Sequence, residues 1–275
     1  MGNTVSENNE GVRFKIIHSK EEAQRLLNEA ESKDFYLEEC YDSPVNAIAR
    51  SASIYSPNSV SYKDLKYFEV ILENSKNLIP KRLKHDLQEI KLIQLMPSAE
   101  GGMPHTRPGE LICFPDISQF VKTSTIIHEL WHVHQRIYHS LWISVFKEWG
   151  WTEWNGKLPE SLEKNRRFNP DTIDSPLWIY KNTWIPIPIF KDIMRPNMTE
   201  VTIWFYNPSS NYHKKMIPDD LVSEFPSVPH SAYEHPRELS AYLLSEPTKY
   251  ATSVGFKKLI TLIGHISITP YNKIC

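Results

Sequence analysis

Two histidines four residues apart, His128 and His132, most constrain what this chain can fold into. The stretch around them, from about Ser118 to Trp149, carries apolar residues at close to helical spacing, and we predict one long helix there. Residues four apart on a helix project from the same face, about one turn from each other. Two imidazoles in that arrangement can bind one metal ion through their ring nitrogens. The fold must therefore present this helix face to a metal site.

Glu129 follows the first histidine and completes the pattern H-E-x-x-H, as His128-Glu129-Leu130-Trp131-His132. In this pattern the glutamate lies beside the metal, where its carboxylate accepts a proton from water. Zinc lowers the pKa of a bound water toward about 7, so hydroxide forms at neutral pH. Composition alone would give the pattern in on the order of 3% of chains of this length, which favours a functional origin. The sequence therefore predicts a Zn²⁺ site with His128 and His132 as ligands and Glu129 as the general base.

A catalytic zinc site usually has three protein ligands, so one more residue is needed. His139 shares the helix face of His128, but eleven residues of continuous helix would separate them by about 16 Å. His134 points away from the ligand face. The longer pattern H-E-x-x-H-x-x-G-x-x-H is also broken, because Gln135 and Tyr138 stand where it needs glycine and histidine. The third ligand must come from another part of the chain.

A second predicted helix, over about residues 234–244, offers that ligand. Pro236 suits the first turn of this helix, and Glu238 then lies early on it. The H-E-x-x-H helix and this downstream glutamate together resemble the gluzincin group of zinc metallopeptidases. The resemblance implies that Glu238 is the third zinc ligand. It also gives Tyr242, four positions later, the place of a hydrogen-bonding residue, where the group often has aspartate.

The resemblance further implies a zincin-like α+β fold. Such a fold has a small mixed sheet with an edge strand, an active-site helix and a helical C-terminal part. The predicted strand Leu111–Phe114 matches in order the edge strand against which these enzymes bind an extended peptide. More than a hundred residues separate His132 from Glu238, which is longer than in compact members of the group. Residues 150–229, rich in aromatic residues and proline, would be an irregular insertion between the two metal helices.

Local signals divide the rest of the chain into helices and strands. We predict helices from Ser19 to about Glu31, from Ser61 to about Asn77, over Lys81 to about Glu89 and from about Val254 to His265. Strands are predicted at Ile90–Met96 and Thr199–Tyr206. Helices and strands are segregated, which indicates the α+β class. We expect a flexible tail over residues 1–11 and one catalytic domain over residues 12–275.

Several polar residues are candidates for a donor that stabilises charge in the transition state. Tyr242 is the candidate that we carry forward as catalytic, although the sequence does not single out any of the group. The others are Tyr233, His235, Arg237 and His230, with His105-Thr106-Arg107 as a weaker possibility before the predicted edge strand. Glu234 and His235 are the alternative metal ligands should Glu238 not serve.

Charge, cysteines and the N-terminus limit the partners and the compartment. The net charge of −2 gives no support for nucleic-acid binding. The three cysteines are far apart and odd in number, which indicates a reducing compartment such as the cytoplasm. No signal peptide is visible. Met1-Gly2-Asn3-Thr4-Val5-Ser6 fits the myristoylation pattern, but this pattern carries little information beyond Gly2 and Ser6, and a plain flexible tail is the favoured interpretation. One acyl chain at Gly2 would hold a membrane only weakly.

These residues predict a zinc-dependent hydrolase, in the first place a metallopeptidase acting on a peptide or protein substrate. Three alternatives stay open. One is a non-catalytic structural or interaction protein on a zincin scaffold, viral or membrane-associated. Another is a metallohydrolase for a non-peptide substrate, since a fold does not decide the substrate. The last is a protease for DNA-bound proteins. The oligomeric state is not indicated.

Overall fold

The structure is a computed structural model that describes residues 11–115 and 121–265. The chain divides into two compact units, residues 1–137 and residues 138–275. Both units contain helices and strands, so the α+β class is confirmed. The single catalytic domain over residues 12–275 stays a prediction. The predicted flexible tail lies outside the described residues, apart from Gly11.

The first unit packs helices against a four-stranded sheet. Its strands are β1 (Arg13–Ile16), β2 (Glu89–Gln94), β3 (His105–Arg107) and β4 (Leu111–Phe114). Its helices are α1 (Lys20–Asp34), α2 (Tyr36–Asp42), α3 (Pro44–Arg50), α4 (Tyr62–Leu78), α5 (Lys81–Asp86) and α6 (Thr123–Ile137), with a short 3₁₀ turn at Ala99–Gly102. Helix α6 carries the H-E-x-x-H pattern and contacts β3 and β4.

The sheet is mixed, as predicted, but its edge is not where we predicted it. The strand order is β1-β2-β4-β3, with β1, β2 and β4 parallel and β3 antiparallel to β4. The prediction that Leu111–Phe114 is the edge strand is therefore wrong, because β4 has a neighbour on each side. All four of its residues are buried, as expected of an interior strand that is covered on both faces. Among the described residues, the edge beside β4 is His105–Arg107.

Local capping signals predicted two helix starts correctly. The Ser19 hydroxyl accepts a hydrogen bond from the Glu22 amide at 3.1 Å. The Ser61 hydroxyl does the same for the Asp64 amide at 3.1 Å. Each bond satisfies one of the free amide groups of a first helical turn. The predicted helix from Lys81 is shorter than expected, because it ends at Asp86 and Glu89 begins β2.

The predicted long helix from Ser118 to Trp149 is two helices. Its first residues, 118–120, lie outside the described part of the chain. Tyr138 leaves helical geometry, with φ −105° and ψ 41°, so α6 ends at Ile137 and the next helix begins at His139. No glycine or proline stands at this break, and the sequence therefore carried none of the usual signals for it.

Helix α6 is held within the first unit by a buried hydrogen bond between a histidine, whose pKa is lowered by burial, and a carboxylate. His134 contacts Asp86 through Nε2 and Oδ2 at 2.8 Å, and the Asp86 side chain is only 1% exposed. Arg82 and His85 also bond to this carboxylate. Burial by itself would raise the pKa of Asp86, but the hydrogen bonds from His134, His85 and Arg82 lower it to about 2. His134 is thus a structural residue, which agrees with its prediction as one that points away from the metal.

The second unit contains two antiparallel sheets among seven helical segments. Its strands are β5 (Trp151–Trp154), β6 (Leu177–Tyr180), β7 (Ile185–Phe190), β8 (Val201–Asn207) and β9 (Tyr212–Lys214). Its helices are α7 (His139–Glu148), α8 (Glu160–Glu163), α9 (Asp219–Glu224), α10 (Pro236–Ser245), α11 (Pro247–Tyr250) and α12 (Val254–His265), with a 3₁₀ turn at His230–Glu234. β5 pairs with β6, and β7, β8 and β9 form a meander.

The segment over residues 150–229 is more regular than we predicted, because it contains all five of these strands. The predicted strand Thr199–Tyr206 corresponds to β8. Tryptophans form much of the core beside the sheets. Phe146 lies edge-on to Trp178 at 5.3 Å, and the Trp149 indole donates to the Gly255 carbonyl at 2.8 Å. Large aromatic rings dominate buried area, so the tryptophan-rich composition serves packing here.

Two further features bear on the predicted compartment. Cys40 and Cys113 are buried free thiols, and burial raises the pKa of Cys40 to about 12, so this thiol is unreactive at neutral pH. Within the described ranges, every helix is too short or too polar to cross a membrane. Gly2 and Cys275 lie outside the described residues.

The Asp86 ion pair predicts a specific dependence of stability on pH. A carboxyl whose folded pKa is depressed stabilises the fold above its unfolded pKa and loses that effect as the pH falls. The shift from 3.8 to about 2 corresponds to about 2 kcal/mol. We expect Asp86→Asn to lower the free energy of unfolding by about this amount at pH 5, and the gap to wild type to close toward pH 2 in urea titrations. Parallel curves for the two proteins would contradict the assignment.

Candidate metal centre

Helix α6 brings His128 and His132 together as the spacing predicted. Their Nε2 atoms are 3.0 Å apart, and the ring planes are inclined by 77° with centroids 4.6 Å apart. His132 is buried and His128 half-buried, while Glu129, the next residue of the pattern, is 3% exposed. The two imidazoles therefore direct the same ring nitrogen toward one point.

Gln135 determines which nitrogen of His132 carries the proton. Its Oε1 lies 2.9 Å from His132 Nδ1, and Gln135 is fully buried. A carboxamide oxygen only accepts hydrogen bonds, so in neutral His132 the proton is on Nδ1 and the lone pair is on Nε2. Partners of this kind commonly orient metal-binding histidines. This role of Gln135 was not predicted, although its position one turn after His132 in the sequence was a usable signal.

The pair fits a shared metal ion. Two nitrogens that each bind zinc at about 2.0–2.1 Å cannot be more than about 4 Å apart, and the observed separation is 3.0 Å. With the proton of His132 on Nδ1, its Nε2 lone pair faces the other imidazole. A cation between two such nitrogens would be bound by both lone pairs. A single proton between them would be bonded to one nitrogen and hydrogen-bonded to the other.

In the second unit, α10 presents Glu238 as predicted. The helix begins at Pro236, and the carboxylate of Glu238 is almost fully buried. Asn169 donates from Nδ2 to Glu238 Oε1 at 2.9 Å, and the same amide group bonds to Glu234. A carboxylate this buried needs such partners to be stable. Residues 150–229 therefore supply the group that holds Glu238, a role that sequence analysis missed.

Glu234, the first alternative ligand, is already engaged within this unit. Arg167 donates to Glu234 Oε2 at 2.6 Å, and both side chains are buried. Burial raises the pKa of Glu234, Arg167 opposes that shift, and the nearby carboxylate of Glu238 adds to it. The two carboxylates bond to the same Asn169 amide group, so Arg167 compensates a charge that would otherwise repel Glu238.

His235, the second alternative ligand, caps α10 instead. Its Nδ1 accepts a hydrogen bond from the Arg237 amide at 3.0 Å, and its Nε2 lies 3.4 Å from the Pro176 carbonyl. Burial, followed by the charge of Arg237, lowers the pKa of His235 to about 3. It is therefore neutral at physiological pH, with a partner on each ring nitrogen. Glu238 remains the better ligand of α10.

Most predicted donors have structural partners. The Arg237 guanidinium bonds to Asp174 and lies 3.2 Å from Nδ1 of His139, the histidine excluded as a ligand. The Tyr233 hydroxyl donates to the Phe225 carbonyl, and His230 contacts the Lys215 carbonyl. Tyr242, half-buried on α10 one turn after Glu238, stays a predicted donor.

The weaker candidates His105, Thr106 and Arg107 form a buried polar network in the first unit. His105 contacts the Tyr55 hydroxyl at 2.8 Å. Arg107 pairs with Asp34 at 2.7 Å. All three residues of β3 are almost completely buried, so their side chains serve the fold of this unit rather than an open cleft.

Comparison with known proteins adds no relative. No protein-family model, no curated protein and no solved structure matches the chain. The functional argument therefore depends on the residues themselves and on their geometry. The gluzincin resemblance of the two helices stays a prediction.

The buried Arg167–Glu234 pair predicts a large effect on stability. Removing one partner of a buried ion pair costs about 3–5 kcal/mol, because the other charge is left uncompensated. We expect Arg167→Met to lower the free energy of unfolding by that amount in urea titrations. Adding Glu234→Gln should recover part of the loss. Lys164→Met, which removes an exposed pair with Glu160, is the control, and we expect it to leave the free energy of unfolding almost unchanged.

Proposed function

We propose that this protein is a zinc-dependent hydrolase that cleaves peptide bonds. The observation that carries the proposal is the pair of Nε2 atoms of His128 and His132 at 3.0 Å, with the proton of His132 placed on Nδ1 by Gln135. Within H-E-x-x-H, this pair is accompanied by a buried glutamate, which a purely structural zinc site does not require.

Glu238 is the third ligand in this proposal. His128, His132 and Glu238 make a ligand set of two imidazoles and one carboxylate, which suits one zinc ion with a position left for water. Asn169 fixes the orientation of the Glu238 carboxylate, and Gln135 fixes that of His132. His132 and Glu238 are thus each oriented by a hydrogen-bond partner before any metal binds. Such orientation of the ligands favours tight metal binding.

Bound zinc would lower the pKa of a water molecule to about 7 and polarise the scissile carbonyl. Glu129 accepts the proton from the attacking water and then donates it to the leaving amine, so that one carboxylate serves as base and as acid. Tyr242 donates a hydrogen bond to the oxygen on which negative charge develops. Its position one turn after Glu238 on α10 is the basis for this role.

A peptide or protein is the proposed substrate class, on the strength of the gluzincin resemblance. A zincin-like arrangement of the sheet and the two metal helices belongs to the same proposal. The proposal does not place the peptide on β4 or β3, because β4 is interior and the residues of β3 are almost completely buried.

The first test is metal content together with the role of Glu129. We expect about one zinc per chain, and loss of that zinc in His128→Ala. Glu129→Gln should keep zinc and stability and lower the peptidase rate by about 100-fold or more, because general acid–base catalysis contributes that much. Hydrolysis of a peptide library, with and without a chelator, measures the rate. Hydrolysis by Glu129→Gln as fast as by wild type would show that Glu129 is not the base, and no chelator-sensitive hydrolysis by wild type would indicate a non-catalytic protein on the same scaffold.

The second test concerns the third ligand and the orientation of the second. We expect Gln135→Leu to weaken zinc binding by about 10- to 100-fold, as loss of an orienting partner does, and Gln135→Glu to retain most of it. Glu238→Gln should weaken binding more than Gln135→Leu, measured by competition with a chelating dye. Glu246→Gln changes an exposed glutamate and is the control. If Glu234→Gln rather than Glu238→Gln abolished binding, the assignment of the ligand would be wrong.

A further inference from the structure

Helix α4 in the first unit carries a second apolar stripe on its exposed side. The residues of its buried face are Phe68, Ile71, Leu72 and Ser75. Three apolar side chains outside that face keep much of their surface exposed, with Tyr67 at 44%, Val70 at 57% and Leu78 at 63%. Single exposed apolar residues are common on proteins. Three of them on one helix form a surface whose geometry is defined by the helix itself.

The stripe has the spacing of a contact between two helices. Tyr67, Val70 and Asn74 are separated by three and four residues, and Lys63 and Leu78 continue the row in each direction by four. Residues at these intervals lie in one row along a helix. Apolar residues three and four apart also form the seam between two helices of a coiled coil. Because α4 has 17 residues, the helix that carries the row is about 25 Å long.

The charges on one flank of the stripe change sign along the helix. Lys66 precedes Val70 by four residues and Glu73 follows it by three, so the two charges lie on the same flank, about two turns apart. The Lys66 ammonium lies 5.5 Å from the ring centre of Tyr62. Glu73 bonds to Lys76 through one carboxylate oxygen at 2.6 Å, and its side chain is 71% exposed. Such an exposed pair is weak, so Glu73 can still bind another cation.

We propose that this surface of α4 binds a second copy of the chain, with the two α4 helices antiparallel across a two-fold axis beside Val70. Residues before Val70 in one copy then lie opposite residues after Val70 in the other. Lys66 of each copy faces Glu73 of the other, which gives two ion pairs from one surface. Tyr67 and Val70 of both copies form the apolar centre. Charges beside such a seam determine the partner and the orientation of paired helices.

The change of sign along the flank favours this partner over others. A parallel pair of α4 helices would place Lys66 beside Lys66 and Glu73 beside Glu73, and like charges across an interface are unfavourable. Helices that bind an anionic membrane have a polar face rich in lysine and arginine, whereas α4 carries Glu69 and Glu73 among its lysines. In the antiparallel pair, both charges of the flank meet their opposites.

The size of the surface determines how strong the contact can be. A contact along α4 would be about 25 Å long and about 10 Å wide, which is less than the roughly 800 Å² per partner of a standard stable interface. The dimer is therefore weak, with a dissociation constant on the order of 100 μM. It forms and dissociates with the concentration of the protein.

The dimer does not depend on the proposed hydrolase activity. The face of α4 that contacts α6 is a different one, where the Ser75 hydroxyl lies 3.3 Å from the Thr123 hydroxyl. Substitutions in the stripe should therefore leave the zinc content unchanged, and His128→Ala should leave dimerisation unchanged. Failure of one proposal is thus distinguishable from failure of the other.

The first test is sedimentation equilibrium of the full chain in low salt, from about 5 to about 300 μM, a range around the expected constant. We expect a reversible dimer. Val70→Glu should raise the dissociation constant about tenfold or more, because it places two like charges at the centre of the contact. Val254→Glu is the matched control, since Val254 is a similarly exposed valine of α12, at 64%, and this variant should dimerise as the parent does.

Reversal of single charges tests the antiparallel pairing. Lys66→Glu alone and Glu73→Lys alone should each raise the dissociation constant about fivefold, because two pairs change from attraction to repulsion. An equal mixture of these two variants should dimerise about as well as the parent, since each copy then carries the charges that the other needs. The variant with both changes should also recover dimerisation.

Three outcomes would overturn the proposal. One is a parent that stays monomeric at about 300 μM. Another is a parent dimer that Val70→Glu leaves intact, because the contact would then lie on a different surface. The last is a mixture of the two charge variants that does not recover what each variant lost, which would exclude the antiparallel arrangement. Every substituted side chain of the stripe and its flank is exposed, and urea midpoints equal to that of the parent would show that the variants fold.

Discussion

The hydrogen bond from His132 to Gln135 is the interaction on which the proposed metal centre depends. An imidazole has two nitrogens, and only the unprotonated one binds a metal. Gln135 lies one turn beyond His132 on α6 and accepts a hydrogen bond from the Nδ1–H group at 2.9 Å, which leaves Nε2 as the ligand atom facing His128. The bond is buried, so water does not compete for either group. Without it, His132 would be free to turn its protonated nitrogen toward the other imidazole, and the pair would be a simple hydrogen bond.

The carboxylate side of the proposed centre has a different problem, because Glu234 and Glu238 are two buried acids that bond to the same Asn169 side chain. Arg167 compensates the charge of Glu234, and Asn169 bonds to both carboxylates. Both partners come from the long segment before α10, which thereby has a physical function beyond packing. A compact chain without this segment would need other hydrogen-bond donors for the buried Glu238 carboxylate. The long segment between the two metal helices thus contains Arg167 and Asn169, the residues that hold the buried carboxylates beside the second helix.

What could be predicted from the sequence was local. The capping serines Ser19 and Ser61, the start of α10 at Pro236 and the shared face of His128 and His132 each depend on residues within one or two turns. The interior position of β4 could not be predicted from its order in the chain, because strand order is decided by pairing with β2 and β3. Arg167 and Asn169 bond to glutamates more than sixty residues away, and no local pattern marks them. No glycine or proline stands at the break at Tyr138. The helical spacing of apolar residues also continues across it, so the sequence predicted one helix.

The β7–β8–β9 sheet also supports the two buried glutamates at the start of α10. The Arg167 amide donates to the Pro188 carbonyl of β7 at 2.8 Å, and the Phe205 ring of β8 packs edge-on to Tyr233, next to Glu234. The sheet therefore holds in place both the arginine that compensates Glu234 and the turn that precedes α10. A substitution that disturbed the pairing of β7 with β8 would for this reason also disturb the carboxylates that the proposed metal centre uses.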